Sequence, residues 1–180
     1  MAYPPYRDTS FGDPVGFAQA LFHGGARLLQ IRDKAGSARD LLDVVERILS
    51  VAPADARVIV NDRADVARLA GAAGVHLGQD DLPVEGARKI LGLDRIVGLS
   101  THSLVQAMEA DKLPVDYIAV GPVFPTSTKR DAEPVIGLET LAAICKAIHK
   151  PVIAIGGIQL ENARKVFEAG AHGVAVIGDL

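Results

Sequence analysis

Short apolar runs recur along this chain, and each of them ends in a cluster of polar residues. The runs are continuous stretches of Val, Ile and Leu, which is typical of strands that are buried on both faces. Polar residues gathered at the carboxyl ends of such strands are typical of α/β active sites. The seven segments, each a run with its polar tail, are residues 28–34, 58–63, 75–81, 96–102, 117–129, 152–157 and 174–179.

Segments with a helical spacing of apolar residues lie between the predicted strands. Ser37 or Asp40 is expected to cap the second of these helices. Gly74, Gly92 and Gly170 are predicted just past helix ends, where a left-handed residue often terminates a helix. Strands that alternate with helices in this way predict parallel βαβ units with right-handed crossovers. The predicted helices are residues 14–22, 41–49, 62–72, 83–91, 103–110, 138–148 and 161–169.

The number of strands favours a (β/α)8 barrel over an open sheet, although such barrels typically have about 200 residues or more. A first strand has to come from Met1 to Asp13, where Pro4 and Pro5 are unfavourable in a central strand. The sequence ends at Leu180, directly after the last predicted strand. We therefore expect one α/β domain over residues 1–180, a (β/α)8 TIM barrel clipped at its first strand and its last helix.

Composition narrows the class of protein. Hydrophobic residues make up 49% and charged residues 23%, and the net charge of -3 gives no sign of nucleic-acid binding. No apolar stretch is long enough to span a membrane, and the N-terminus lacks the apolar region of a signal peptide. A cytoplasmic protein is expected, with Cys145 as a packed small side chain rather than a nucleophile.

Gln30, Arg32 and Lys34 alternate after the first run, so an extended chain points them to one side. Two cations and an amide on one face predict a site for a phosphate-bearing ligand. The alternative is that Lys34 is only a solvated loop charge.

Aspartates follow the next two runs, as Asn61-Asp62 and Asp80-Asp81. Carboxylates at neighbouring strand ends can share Mg²⁺, which prefers oxygen ligands and often bridges to phosphates. Helix capping would explain Asp62 or Asp81 equally well when each is considered singly.

A second phosphate-type set follows the longest run. Thr126, Thr128 and Lys129 lie there, and a surface turn is the alternative interpretation. Gly156-Gly157 and Gly178 offer backbone N–H groups at strand ends, a frequent phosphate-binding position in this fold. His102 can act either as an acid/base or as polar lining and a helix cap.

Taken in order, these motifs resemble the thiamine-phosphate synthase family. The resemblance covers residues 17–178. It consists of Gln-x-Arg-x-Lys at 30–34, Asn-Asp-Arg at 61–63, Gly-Val-His-Leu-Gly-Gln-Asp-Asp at 74–81, Ser-Thr-His at 100–102, Gly-Pro-Val-Phe-Pro-Thr-x-Thr-Lys at 121–129 and Ala-Ile-Gly-Gly-Ile at 154–158.

The resemblance implies a transferase that joins 4-amino-2-methyl-5-hydroxymethylpyrimidine diphosphate to hydroxyethylthiazole phosphate and releases pyrophosphate. It implies Mg²⁺ as cofactor and these small molecules as partners, with no nucleic acid and no membrane. The implied diphosphate and pyrimidine ligands are Gln30, Arg32, Lys34, Asn61 and Ser100, and the implied metal ligands are Asp62 and Asp81. The implied thiazole-phosphate ligands are Thr126, Thr128, Gly157, Ile177 and Gly178, and Arg32, Lys34 and Lys129 would neutralise the departing pyrophosphate.

The chain departs from the family pattern at both ends. Arg7-Asp8-Thr9-Ser10 stands where the family has a strand ending in Thr-Asp, and Gly178 stands where it generally has Ser. Two alternatives stay open: a thiazole tautomerase of the same superfamily that uses His102, and a catalytically inactive barrel. A face left uncovered by a missing last helix would favour a homodimer.

Overall fold

The computed structural model describes residues 2–3, 13–126 and 133–177. Strands and helices alternate along these residues, and the strand pairs found among them are parallel, which confirms the predicted α/β class. The strands are β1 (Ala2–Tyr3), β2 (Leu28–Ile31), β3 (Arg57–Asn61), β4 (Gly74–Leu77), β5 (Ile96–Thr101), β6 (Tyr117–Val120), β7 (Val152–Ile155) and β8 (Gly173–Ala175). The helices are α1 (Pro14–His23), α2 (Ala38–Val51), α3 (Ala64–Ala70), α4 (Val84–Leu91), α5 (Leu104–Asp111), α6 (Gly137–Ala147) and α7 (Leu160–Glu168).

The first of two compact units, called here the N-terminal unit, comprises Met1–His76 and Gly86–Ile96. Its strands pair in chain order, and Ile31 at the end of β2 lies opposite Val60 of β3. Both of these side chains are buried, as expected for strands covered on two faces. Because the strands are parallel and in register, the residues that follow β2 and β3 lie at one edge of this sheet.

The second unit, called here the C-terminal unit, comprises Leu77–Glu85 and Val97–Leu180. Strand β6 pairs with β5 and with β7, and β7 pairs with β8. Ile118 of β6 and Val152 of β7 are fully buried at the paired positions. The segments that follow these strands therefore begin at a common edge of the second sheet.

A short strand lies where the clipped first strand was predicted, within Met1 to Asp13. A two-residue strand, Ala2–Tyr3, pairs with Gln30 and Ile31 of β2 in the position of the first strand. Pro4 and Pro5 follow it in the sequence, and proline has no N–H to donate to a strand ladder.

Local sequence signals explain most helix boundaries. Ser37 caps α2 and forms a capping box with Asp40, so the two residues proposed as alternative caps act together. The prediction for Gly74 was wrong: it opens β4, and a Cβ there would collide with the backbone of Ile96. The left-handed residue that ends α3 is Gly71 instead, with φ of 73°.

None of the helices in the described part of the chain has both the length and the apolar character needed to cross a lipid bilayer.

Candidate functional site

The segment after β2 is organised by Asp33. Its Oδ1 accepts hydrogen bonds from the N–H groups of Ala35 and Gly36, at 2.9 and 2.8 Å. The Asp33 side chain is therefore committed to its own turn, as in other Asx turns. Gln30 lies on β2 and Arg32 just beyond it, both half-buried, while Lys34 is exposed.

Asp62 follows β3 in an unusual backbone conformation. Its φ of 64° makes it the one non-glycine residue with positive φ in the described ranges. The N–H of Arg63 donates to the carbonyl of Asn61 at 2.8 Å, so Asp62 is the central residue of a γ-turn, a rare and strained arrangement when φ is positive. The N-cap residue of helix α3 is Arg63. Asp62 is therefore not the N-cap that was considered as its alternative role. Strain of this kind at a strand end often marks a functional residue.

The structure brings Lys34 and Asp62 together within the N-terminal unit. Lys34 Nζ lies 3.2 Å from Asp62 Oδ2, and the lysine side chain is 56% exposed against 21% for the aspartate. Lys34 thus has a carboxylate partner from the next strand end, although its side chain is largely exposed. A cation and a carboxylate from two strand ends meet where a phosphate and a divalent metal were predicted.

The next residue, Arg63, does not join that pair. Its Nε and Nη2 donate to the two carboxylate oxygens of Asp65 at 2.8 and 2.5 Å. This hydrogen-bonded pair lowers the pKa of Asp65 and raises that of Arg63. The Arg63 guanidinium is therefore held by Asp65 of α3 rather than directed at Asp62.

Asp81 lies in the C-terminal unit, after β4. Its Oδ2 accepts a hydrogen bond from the N–H of Gly78 at 2.6 Å, which closes a four-residue turn. The space beside Gly78 is limited, because a Cβ there would lie 2.9 Å from the same oxygen. The turn fixes the Asp81 carboxylate close to the end of its strand.

Ser100 is buried near the end of β5, with 5% of its surface exposed. Its carbonyl accepts a hydrogen bond from Gln79 Nε2 at 2.6 Å. Sequence reasoning assigned no role to Gln79, although it lies within the motif at 74–81. The only available signal was its position beside two aspartates at a strand end.

The segment 121–126 crosses the edge of the second sheet. Val123 and Phe124 donate backbone hydrogen bonds to the carbonyls of Ile155 and Gly156, at 2.9 and 3.1 Å. Gly156 and Gly157 have φ of 90° and 62°, and a Cβ on either would collide with this segment. Close approach of two backbones thus explains the glycine pair. The segment ends at half-buried Thr126.

Gly157 combines an unused donor with a fixed carbonyl. No hydrogen bond from its N–H is found within the described residues. Its carbonyl accepts from Asn162 Nδ2 at 3.0 Å, and Asn162 also completes the capping box of α7. Sequence reasoning missed Asn162, because a single asparagine inside a helix carries no signal. Ile177 lies two residues past β8 and is half-buried.

Some predicted residues cannot be placed. Thr128, Lys129 and Gly178 lie outside the described residues. Within the described ranges, no three His, Cys, Asp or Glu side chains come together as a metal-binding group. Any metal held by Asp62 or Asp81 would have to take its remaining ligands from elsewhere, such as substrate phosphates or water.

Comparison with known proteins extends over nearly the whole chain. The family model described as thiamine monophosphate synthase matches residues 7–180, which span both units. A thiamine-phosphate synthase of Koribacter versatilis is 50% identical over 173 residues, or 96% of this chain and 82% of the relative. A thiamine-phosphate synthase of Chlorobium phaeovibrioides is 50% identical over 91% of this chain and 79% of its own.

A solved structure also matches nearly the whole of this chain. The thiamine phosphate pyrophosphorylase of Pyrococcus furiosus superposes with a TM-score of 0.86 at 37% identity, over 98% of this chain and 83% of that one. Its fold is TIM-barrel-like, which confirms the predicted α/β (β/α)8 class.

Proposed function

This chain belongs to the thiamine monophosphate synthase family, and from that premise we propose that it joins a pyrimidine diphosphate to a thiazole phosphate and releases pyrophosphate. The substrates are 4-amino-2-methyl-5-hydroxymethylpyrimidine diphosphate and hydroxyethylthiazole phosphate. The single observation that carries the proposal is the meeting of Lys34 and Asp62 at 3.2 Å, where two strand ends of the N-terminal unit adjoin. A phosphate-seeking cation beside a metal-seeking carboxylate suits a metal–diphosphate substrate.

The N-terminal unit would bind the pyrimidine diphosphate. Arg32 and Lys34 supply positive charge to the diphosphate oxygens. Gln30 and Asn61, both on strands, would offer amide groups for the pyrimidine ring and the diphosphate. In the C-terminal unit, Ser100 would contact the pyrimidine amine or the diphosphate.

Mg²⁺ would be held by Asp62 and Asp81. The donor set fits: Asp62 directly follows β3, Asp81 lies four residues past the end of β4, and hard carboxylate oxygens are the ligands that Mg²⁺ prefers. When bound, the ion would add positive charge to the leaving diphosphate. The support for two aspartates acting on one metal comes from family membership and from this ligand chemistry.

The C-terminal unit would bind the thiazole phosphate. Thr126 offers a hydroxyl, and the N–H of Gly157, which has no partner among the described residues, is a backbone donor of the kind that binds phosphate. Ile177 would contribute its backbone. The family resemblance adds Thr128, Lys129 and Gly178 to this set.

The proposed reaction depends on stabilising the charges that form when pyrophosphate leaves. As the bond between the pyrimidine CH2 carbon and the diphosphate oxygen breaks, its electron pair leaves with pyrophosphate. The ring amine stabilises the positive charge left on the pyrimidine. Arg32, Lys34 and Lys129 would stabilise the negative charge on the leaving group, and the thiazole nitrogen then forms the new C–N bond. That nitrogen carries no proton, so no general base is needed.

The test is pyrophosphate release with both substrates, with and without Mg²⁺. We expect pyrophosphate release only when both substrates and Mg²⁺ are present. Asp81→Ala should lose most of this activity. Asp94→Ala removes an exposed carboxylate before β5 and is the matched control, expected to retain wild-type activity. Release that is independent of Mg²⁺, or equal in the two variants, would contradict the metal role of Asp81. A cytoplasmic location and a homodimer stay predictions.

A further inference from the structure

His102 directly follows β5 in the C-terminal unit, and its ring contacts the start of the segment 121–126. Ring atom Nδ1 lies 2.5 Å from the carbonyl oxygen of Gly121. Because a carbonyl oxygen only accepts, Nδ1 must carry the proton and donate it. The neutral ring is thereby held in one tautomer.

The backbone that carries the ring is held as well. The backbone N–H of His102 donates to Gln106 Oε1 at 2.7 Å, and the hydroxyl of Ser103 accepts from the N–H of Gln106 at 3.2 Å. These bonds tie residue 102 to the first turns of α5. The backbone of residue 102 is therefore fixed at the start of α5, and its ring reaches Gly121 from there.

Gly121 is the point where the segment leaves its strand. Its N–H donates to the carbonyl of Thr101 at 3.2 Å, so residues 101–102 hold Gly121 by two hydrogen bonds. A side chain at Gly121 is excluded by Ile155, and the far part of the segment is bonded to Ile155 and Gly156. The segment is thus hydrogen-bonded to the end of β5 near Gly121 and to the end of β7 at Val123 and Phe124. These bonds determine where Thr126 lies.

We propose that His102 is a positioning residue for thiazole-phosphate binding: its Nδ1–H sets the path of the segment 121–126 and takes no part in proton transfer. This inference rests on the proposed function, because it assumes that Thr126 and Gly157 bind the thiazole phosphate. It differs from the tautomerase alternative, in which the His102 ring would transfer a proton.

Two variants separate these roles. His102→Asn keeps an N–H donor near the position of Nδ1 but has no imidazole, whereas His102→Leu removes the donor at similar size. The measurement is the Kd of hydroxyethylthiazole phosphate by titration calorimetry, which needs no turnover. Pyrimidine diphosphate titrated into the same samples serves as an internal control for folding.

We expect His102→Leu to weaken thiazole-phosphate binding by about tenfold, the effect of losing one hydrogen bond, with pyrimidine diphosphate binding unchanged. His102→Asn should restore most of the affinity. Equal affinity in all three proteins, equal weakening in both variants, or no binding by the wild-type protein would overturn the positioning role. Failure of the proposed function is seen separately, as wild-type protein that binds the thiazole phosphate but releases no pyrophosphate.

Discussion

Replacing Lys34 by methionine is expected to tighten the binding of a divalent metal in the absence of substrate. In the structure, Lys34 Nζ is 3.2 Å from Asp62 Oδ2, so the ammonium occupies the neighbourhood of a proposed metal ligand. A metal that binds Asp62 must displace this cation or share the carboxylate with it. Diphosphate would offer Lys34 another anionic partner, and the two ligands would then favour each other's binding.

The size of the effect follows from the exposure of the pair. At 3.2 Å, two unit charges attract by about 5 kcal/mol at an effective dielectric constant of 20 and by about 1.3 kcal/mol in water. Lys34 is 56% exposed, so the solvent-screened limit applies, and measured pairs of this kind contribute about 0.2–1 kcal/mol. Removing the ammonium should therefore lower the Kd of the metal by a factor of about 1.4 to 5.

The assay is calorimetric titration with Mn²⁺, which prefers the same oxygen ligands as Mg²⁺. Lys89→Met is the matched control, because it removes one exposed cation from α4 of the same unit. Asp62→Asn should abolish the site. Identical affinities in Lys34→Met and the wild-type protein would refute the competition, and no Mn²⁺ binding to either would refute a metal site that forms without substrate.

Three further predictions concern the backbone and an ion pair. In urea unfolding, Asp62→Ala should be less stable than Asp62→Gly by about 1 kcal/mol. Both variants lose the carboxylate, and only glycine adopts the positive φ without strain. Equal stability of the two variants would contradict the strain at this position. Gly157→Ala should lower the free energy of unfolding by about 2–4 kcal/mol, because the new Cβ adds both backbone strain and a collision. Gly25→Ala is the control: its φ is 96° with open space around it, so it should lose only about 1 kcal/mol. Thermal melts of the two variants would show the difference. The hydrogen bond from His149 lowers the pKa of Asp111, so its ionised form stabilises the folded state above the unfolded pKa of about 4, and this contribution is lost as pH falls through the lowered value. Asp111→Asn should therefore lower the urea midpoint at pH 7, and this loss should shrink as the pH falls below about 4; a loss that does not change with pH would show that ionisation is irrelevant.

Most of the fold was predictable because strands buried on both faces leave continuous apolar runs. β2 to β8 begin within one residue of the starts of the seven predicted segments. The two-residue β1 could not be predicted, because pairing with Gln30 and Ile31 depends on a tertiary neighbour and not on its own sequence. Gly74 was misassigned because a glycine forced by a close backbone looks the same in sequence as a helix cap.

The candidate site was predictable to the level of strand ends and not beyond. Residues after β2 and β3 were expected at one edge, and the pair Lys34 and Asp62 meets there. The positive φ of Asp62 and the hydrogen bond from His102 to Gly121 depend on how neighbouring strands end. Such contacts involve residues far apart in sequence, and no local pattern records them.

The central claim is that this chain joins the two substrates into thiamine phosphate. The direct measurement is an incubation of the wild-type protein with pyrimidine diphosphate, thiazole phosphate and Mg²⁺, with the joined product and pyrophosphate quantified in the same sample. We expect equal molar amounts of both, and neither when one substrate is left out. Pyrophosphate without joined product, or an altered thiazole phosphate without either, would contradict it.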